Sequence, residues 1–419
     1  MAAGYAEILR TRHAARLLVG TLVGRLPCAV AAIAIVLFVR SEGGTYSLAG
    51  ALAAVYGVAN AVGQPLLGRL VDLYGQPRVQ LPAALVSALA MSAFAFSGTD
   101  PLPLAYVCVA LSGLFTPPLE GGLRALWSSV LASEGQVQTA YAMDAVAQEV
   151  MFTVGPLLVT LCVSLWSAQA ALVLVNVVGV LGALSVVLSP PSRAWRSEPR
   201  EAHWLGALRS PGLLVLLGAF LAVGMALGSI AVAAVAYADD HGGDAVYGWL
   251  MAAIGLGALV GGTAYGARRW SGAPERRLRV LVALLAVCYV PLTLTPGPVA
   301  MTALTAVAGL FLAPCLACAF VLVDRHAPRG TVTEAFSWIV TTFTVGSSGG
   351  TGLAGPVVEA GGAVWGFAVP GVAGGVSLLV LLATGRVLAA PAARRVVAAS
   401  SENDPNRAAE PRFRSGDRA

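Results

Sequence analysis

Five ionisable side chains lie inside long apolar runs of this 419-residue chain: Arg25, Glu120, Arg124, Asp144 and Glu149. A charged residue at the centre of a membrane-spanning helix costs about 2.5–3.5 kcal/mol on insertion scales, so such residues mark ion pairs, proton relays or substrate contacts. Two arginines against three carboxylates leave one negative charge over. Glu149 is the first candidate for a proton-carrying group, because a carboxyl group facing a cavity can change its protonation state between the two sides of a membrane. The competing reading is a permanent pair with Arg25 or Arg124. Asp144 is either a second titrating group or only the structural partner of Arg124. Glu120 and Arg124 stand four apart with the acid first, the favoured order for a pair on one helix. Arg25 follows Gly24 and precedes Leu26 and Pro27. It is too deep to snorkel easily, so it points into a cavity or at a carboxylate.

The elements that hold these residues are set by composition. The chain is 57% hydrophobic and 11% charged, against about 25% charged in an ordinary soluble protein. This excludes a soluble globular protein and argues against a nucleic-acid partner despite the net charge of +5. Apolar segments occur near 16–40, 46–70, 79–97, 102–131, 137–164 and 168–189, and again near 211–237, 246–267, 278–295, 298–323, 332–357 and 363–388. Each is close to the roughly 20 residues that a tilted helix needs to cross a bilayer. The first is too long for a signal-peptide core and too many spans follow it. The reading is an all-α integral membrane protein of twelve helices in two pseudo-symmetric bundles of six. The expected divisions are a polar N-terminal arm over 1–15, bundles over 16–189 and 210–389, a central loop over 190–209 and a disordered tail over 390–419. With a helix start near 137, Asp144 lies roughly 10 Å and Glu149 roughly 18 Å along helix five.

Arginine placement orients the chain. All 26 basic residues are arginine. Arg69, Arg78, Arg193, Arg196, Arg200, Arg209, Arg268, Arg269, Arg276, Arg277, Arg279, Arg325 and Arg329 fall in loops on one side; the other side holds Arg40 and the acids Asp239, Asp240 and Asp244. By the positive-inside rule both termini are cytoplasmic. The expected home is the cell (inner) membrane.

An internal repeat supports the two-bundle reading. Gly50, Gly57, Gly63 and Gly68 recur 198 positions later as Gly248, Gly255, Gly261 and Gly266, and Arg78 recurs as Arg276. Repeats of half the chain suggest a transporter whose site lies between them. The loop Gly68-x-x-x-Asp72-x-x-Gly75-x-x-Arg78 resembles the one between the second and third helices of the major facilitator superfamily. Leu73 and Pro77 depart from the usual basic positions. In physical terms the glycines permit tight turns and close helix approach. Asp72 can pair with an arginine or with the positive end of a neighbouring helix, a contact able to form in one state and break in another.

The superfamily resemblance implies a transporter. Gly155-Pro156 in helix five is similar to the pattern associated with drug/proton antiporters, which implies export. The family's usual helix-four arginine is absent, since Val109, Ala110, Leu111 and Ser112 precede Gly113; Arg25 is the candidate replacement. Pro117 and Pro118 free the carbonyls of Gly113 and Leu114, and Pro314 frees that of Leu310. Gly113-Leu114-Phe115-x-x-Pro118 returns 196 positions later as Gly309-Leu310-Phe311-x-x-Pro314. Freed backbone is tolerated at depth where protein or water satisfies it, so helices four and ten line a cavity or kink for packing.

Other patterns carry no site. Gly350-Thr351-Gly352-Leu353-Ala354-Gly355 fits a dinucleotide fingerprint but follows no strand. Cys315 and Cys318 have a redox spacing in an apolar helix without partner ligands. No metal, cofactor or ATP site is expected. The reading is a monomeric, non-enzymatic secondary transporter in a lipid bilayer, exchanging protons for a small amphipathic or cationic molecule. A polar wall from the first half would face Met225, Ser229, Phe311 and Trp338, with Asn60 and Gln64 available to touch substrate. Asp72 would work a cytoplasmic gate. An uptake symporter for a metabolite is the alternative. An integral-membrane transferase would need clustered catalytic carboxylates or histidines at one face, and none is seen.

Overall fold

A computed structural model describes residues 2–199, 203–268, 270 and 272–389. The expectations placed on Arg200, on Arg269, on the side chain of Asp244 and on the tail from 390 onward lie outside the described residues. Helix α1 spans Ala2–Arg10, α2 Ala14–Ser41, α3 Tyr46–Tyr74, α4 Gln76–Ser97, α5 Leu102–Leu114, α6 Leu119–Val130, α7 Glu134–Leu165 and α8 Ala168–Val187. A five-residue α9, Pro190–Ala194, opens the segment that leads to the second repeat. There follow α10 Pro211–His241, α11 Asp244–Gly266, α12 Pro274–Tyr289, α13 Pro298–Gly309, α14 Leu312–His326, α15 Val332–Ala383 and the short α16 Gly385–Ala389.

Among the described residues eleven helical stretches are long and apolar enough to cross a membrane, and the last, α15, has 52 residues. Straight, it would run about 78 Å, far beyond the roughly 30 Å of a bilayer core. At Gly362 the backbone takes φ 70 and ψ −169, which folds the helix into two arms. Glycine alone adopts this region without strain. The arms are the eleventh and twelfth spans.

Two expected single helices are broken. The fourth span stops at Leu114 and resumes at Leu119; the tenth stops at Gly309 and resumes at Leu312. Pro117 and Pro118 have no N–H to continue α5. The Gly113 carbonyl that they free accepts instead from Thr116 N at 3.2 Å. The N-terminal arm contains a helix, α1. Tyr5 and Ile8 fall on one face, and Ile8 is fully buried.

The repeat read from the glycines is a repeat of contacts. A Cβ on Gly63 would stand 2.0 Å from the carbonyl oxygen of Leu114, and one on Gly261 1.7 Å from that of Leu310. Likewise Gly113 abuts the carbonyl of Tyr56 and Gly309 that of Ile254, at 2.4 and 2.2 Å. Each pair is related by the same sequence offsets. In lipid there is little hydrophobic drive between helices, so such backbone-to-backbone packing supplies much of the association. Gly182 packs on Gly24 in the same way, joining α8 to α2. The result is a twelve-span fold of two pseudo-symmetric six-helix bundles.

Candidate functional site

The break in the fourth span sets the first site. Because α6 starts afresh at Leu119, Glu120 sits in its first turn and Arg124 one turn on. Both reach toward α2 and α7. Arg25 NH2 lies 2.7 Å from Glu120 Oε2, and Arg25 NH1 lies 3.4 Å from Asp144 Oδ1. Arg124 Nε donates to Asp144 Oδ2 at 2.7 Å, and its NH2 donates to Glu120. The four side chains form a closed ring in which each charge meets two of opposite sign. Arg124 and Asp144 are fully buried, and Arg25 and Glu120 are 7% and 12% exposed. Two positive and two negative charges make the ring neutral, which is what permits burial at this depth.

Arg124 carries two further contacts. Its guanidinium stacks on Phe320, with Cζ 3.5 Å from the ring centroid. Gln148 Oε1 lies 3.5 Å from its NH2. Phe320 is the residue that the 196-position repeat sets opposite Arg124. The cation and its aromatic counterpart therefore meet across the pseudo-twofold axis, a favourable pairing where water is excluded. Sequence reasoning had no signal for Gln148 or Phe320; the repeat offset singles out Phe320 once Arg124 is known.

Glu149 is not in the ring. Five residues rotate a helix by about 140°, so Glu149 faces away from Asp144. Helix α7 starts at Glu134, three residues earlier than the sequence implied, which places Asp144 about 15 Å and Glu149 about 22 Å along it. Glu149 is half-buried. One turn before it, Val146 packs on α11 of the second repeat: a Cβ on Gly262 would stand 2.4 Å from Val146 Cγ2.

A polar group also lines the break itself. Gln64 Nε2 donates to the Thr116 carbonyl at 3.0 Å and lies 3.3 Å from Asn60 Oδ1; the Tyr56 and Thr116 hydroxyls lie 3.2 Å apart. Asn60 and Gln64 are half-buried, as are Met225, Phe311 and Trp338. Ser229 belongs to no wall: it is fully buried and donates to Ala226 O within its own helix. Gly155 brings α7 close to α2, since a Cβ there would stand 2.8 Å from Val30 Cγ1; Pro156 follows within the same helix.

The second site joins the repeats. Asp72, near the end of α3, is buried and accepts from the amides of Thr333 at 3.1 Å and Glu334 at 2.9 Å. These are unsatisfied N–H groups of the first turn of α15, so a carboxylate meets both free donors and the positive end of the helix dipole. Of the two partners open to Asp72, the structure selects the helix end. Gly68 leaves the room: a Cβ there would stand 2.5 Å from Ser337 Oγ. Gly75 turns the chain at φ 87 and ends α3. Arg78 is exposed. Further along α3 the Thr341 hydroxyl reaches the Ala61 carbonyl at 3.4 Å. The receiving end had a readable signal, since Thr331-Val332-Thr333-Glu334 has capping-box spacing. Thr331 spends its own hydroxyl on Pro328 O, at 2.8 Å.

The Gly68–Arg78 loop that carries Asp72 resembles that of one family. Its sequence model, the Major Facilitator Superfamily, matches residues 17–351. The chain belongs to the major facilitator superfamily. No curated protein matches the sequence. Among solved structures, the chain is similar to a bacterial homologue of the iron transporter ferroportin in an outward-facing state, with TM-score 0.70 and 14% identity over 89% of this chain and 99% of that one. It is similar to the superfamily transporter FucP in the outward conformation, with TM-score 0.67 and 13% identity over 88% and 97%. It also resembles the human organic anion transporter TETRAN, with TM-score 0.64 and 17% identity over 87% and 97%. These likenesses establish the fold. As a member of this superfamily the chain is a multi-pass membrane transporter of a small molecule.

Proposed function

We propose that the chain is a proton-coupled exporter of a small amphipathic or cationic molecule, working by alternating access. The observation that carries the mechanism is the Asp72 cap on α15, which ties the two repeats together at one end. Bundles over 16–189 and 210–389 would rock about that contact, with the central segment 190–209 between them. By the positive-inside rule the arginine-rich loops support a cytoplasmic location for this end and for both termini of a cell-membrane protein. The state described would then be closed to the cytoplasm, in keeping with outward-facing structures among its structural relatives.

Glu149 is the proton-carrying group in this reading. One turn before it, Val146 packs on Gly262 of the second repeat, so the surroundings of this helix face change when the bundles move, whereas the ion pairs of the ring all lie within the first. Protonation from outside favours release of substrate; deprotonation inside favours loading. Gly155-Pro156 supports export. A second reading, uptake by symport, is favoured by the polar wall of Tyr56, Asn60, Gln64 and Thr116, which suits a hydroxylated metabolite.

The test is efflux of a cationic fluorescent dye from cells expressing the wild type, Glu149→Gln or Asp72→Asn, with and without a protonophore. Efflux that stops with the protonophore and in Glu149→Gln supports proton-driven export. Equal efflux in every case, with accumulation of a labelled sugar or polyol, selects uptake.

A further inference from the structure

Pseudo-symmetry demands two equivalent contacts at the closed end, and only one is built with a carboxylate. The repeat sets Gly266 opposite Gly68 and Trp270 opposite Asp72. It sets the start of α7, Ser133-Glu134, opposite Thr333-Glu334 of α15. Trp270 cannot cap a helix: its indole N–H donates to Tyr265 O at 2.8 Å and its ring stacks on Tyr265. The first turn of α7 is capped by its own Ser133, whose hydroxyl accepts from Gln136 N at 3.3 Å. A cavity of about 590 Å³ remains between the two elements, lined by Glu134, Gln138, Thr139, Tyr265 and Arg268.

Helix α1 sits at this gap and touches both repeats. The Tyr5 hydroxyl donates to the Gly262 carbonyl of α11 at 3.1 Å. On the other side Glu7 Oε1 accepts from Gln136 Nε2 of α7 at 2.8 Å. Ile8, the residue after Glu7, is fully buried. The seat is shaped for the tyrosine, since a Cβ on Gly266 would stand 2.1 Å from its hydroxyl oxygen. Burial pushes the Tyr5 hydroxyl up to about 12, so it remains a donor at physiological pH. His13, at φ 71, turns the chain between α1 and α2.

We infer that α1 is a strap that replaces the missing second acidic contact and holds this end of the transporter shut. Opening the end separates Gly262 from Gln136, and α1 cannot follow both. It must leave one partner in every cycle. This inference rests on the alternating-access reading above.

The test places genetically encoded spin labels at Ala194, on the short α9 directly after the first repeat, and at Arg276 on α12 of the second, both exposed. Distances are measured in the full chain, in a deletion of residues 2–10, in Tyr5→Ala and in Asp72→Asn. The strap predicts that the deletion and Tyr5→Ala each enlarge the longer-distance population several-fold, as Asp72→Asn does. If the deletion does not accumulate, Tyr5→Ala decides alone. A response to Asp72→Asn with none to the α1 variants overturns the strap and leaves alternating access standing. No response in any variant overturns both.

Discussion

The ionic ring makes its strongest prediction through a double-mutant cycle on Arg124 and Asp144. Their facing atoms are 2.7 Å apart and both residues are fully buried. With charge centres about 4 Å apart and an effective dielectric constant near 20, the attraction is about 4 kcal/mol. Asp144→Asn leaves two arginines sharing Glu120, a buried excess of one positive charge. Arg124→Gln leaves two carboxylates sharing Arg25, an excess of one negative charge. Breaking a buried pair from either side costs about 3–5 kcal/mol. For a cooperative unit of 150–250 residues that lowers the melting midpoint by about 6–20 °C. The double variant keeps the Arg25–Glu120 pair at 2.7 Å and restores neutrality. Its midpoint is therefore expected to be no lower than that of the worse single variant. The assay is a melting curve of purified protein in detergent, read by loss of the monodisperse chromatography peak. If the two single losses add in the double variant, the ring is not a coupled unit and its neutrality is not what permits burial.

Three further outcomes follow. Asp72→Asn removes a charge and can satisfy only one of the two α15 amides; at about 2–4 kcal/mol for the lost charged bond and the amide left behind, the open population should rise by roughly 30-fold or more, measured by the label distances above. Glu149→Gln should abolish uphill transport driven by a proton gradient but retain substrate exchange at equal concentrations on both sides; loss of exchange as well would make Glu149 a substrate ligand or a structural residue. Gly261→Val should prevent accumulation of folded protein, because even its Cβ would stand 1.7 Å from Leu310 O, whereas Gly57→Ala, where no atom lies within 4 Å, should change stability by less than about 0.5 kcal/mol; equal behaviour of the two in a membrane-expression assay would refute the close-packing account.

The residues were legible in proportion to how local their reasons are. Arg25, Glu120, Arg124 and Asp144 stand out in apolar sequence because their insertion cost is a property of the residue. Their pairing is not, since it depends on three helices meeting where α5 ends and α6 begins. The prolines announced freed carbonyls and a kink or cavity there, but not a full break, nor that the free Gly113 carbonyl would take Thr116 N. Asp72 was legible with its glycines, and its partner was narrowed to two kinds. Helix α1 was unreadable as a helix: nine residues ending in an arginine lack the apolar length of a span, and its buried face is defined by α7 and α11. The fold at Gly362 was legible only as a length limit, which separated two apolar segments without naming the turn.

The repeat explains why charge is confined to one half. Applying its offsets, Glu120 faces Leu316 in register and Arg124 faces Phe320; the Gly155-Pro156 and Gly355-Pro356 pairs set Asp144 against Thr344 and Glu149 against Gly349. A symmetric ring would bring two arginines to the axis at the same depth. Like charges there would repel with nothing to screen them. Replacing one by phenylalanine converts the repulsion into the stacking seen at 3.5 Å. No carboxylate is then needed in the second half to balance an arginine at that depth, and its walls can be apolar. Phe320→Arg tests this directly: it should destabilise the fold more than Phe320→Leu, and adding Leu316→Glu should recover part of the loss. If Phe320→Arg alone is tolerated, the axis is wetter than the burial of Arg124 implies, and the asymmetry needs another cause.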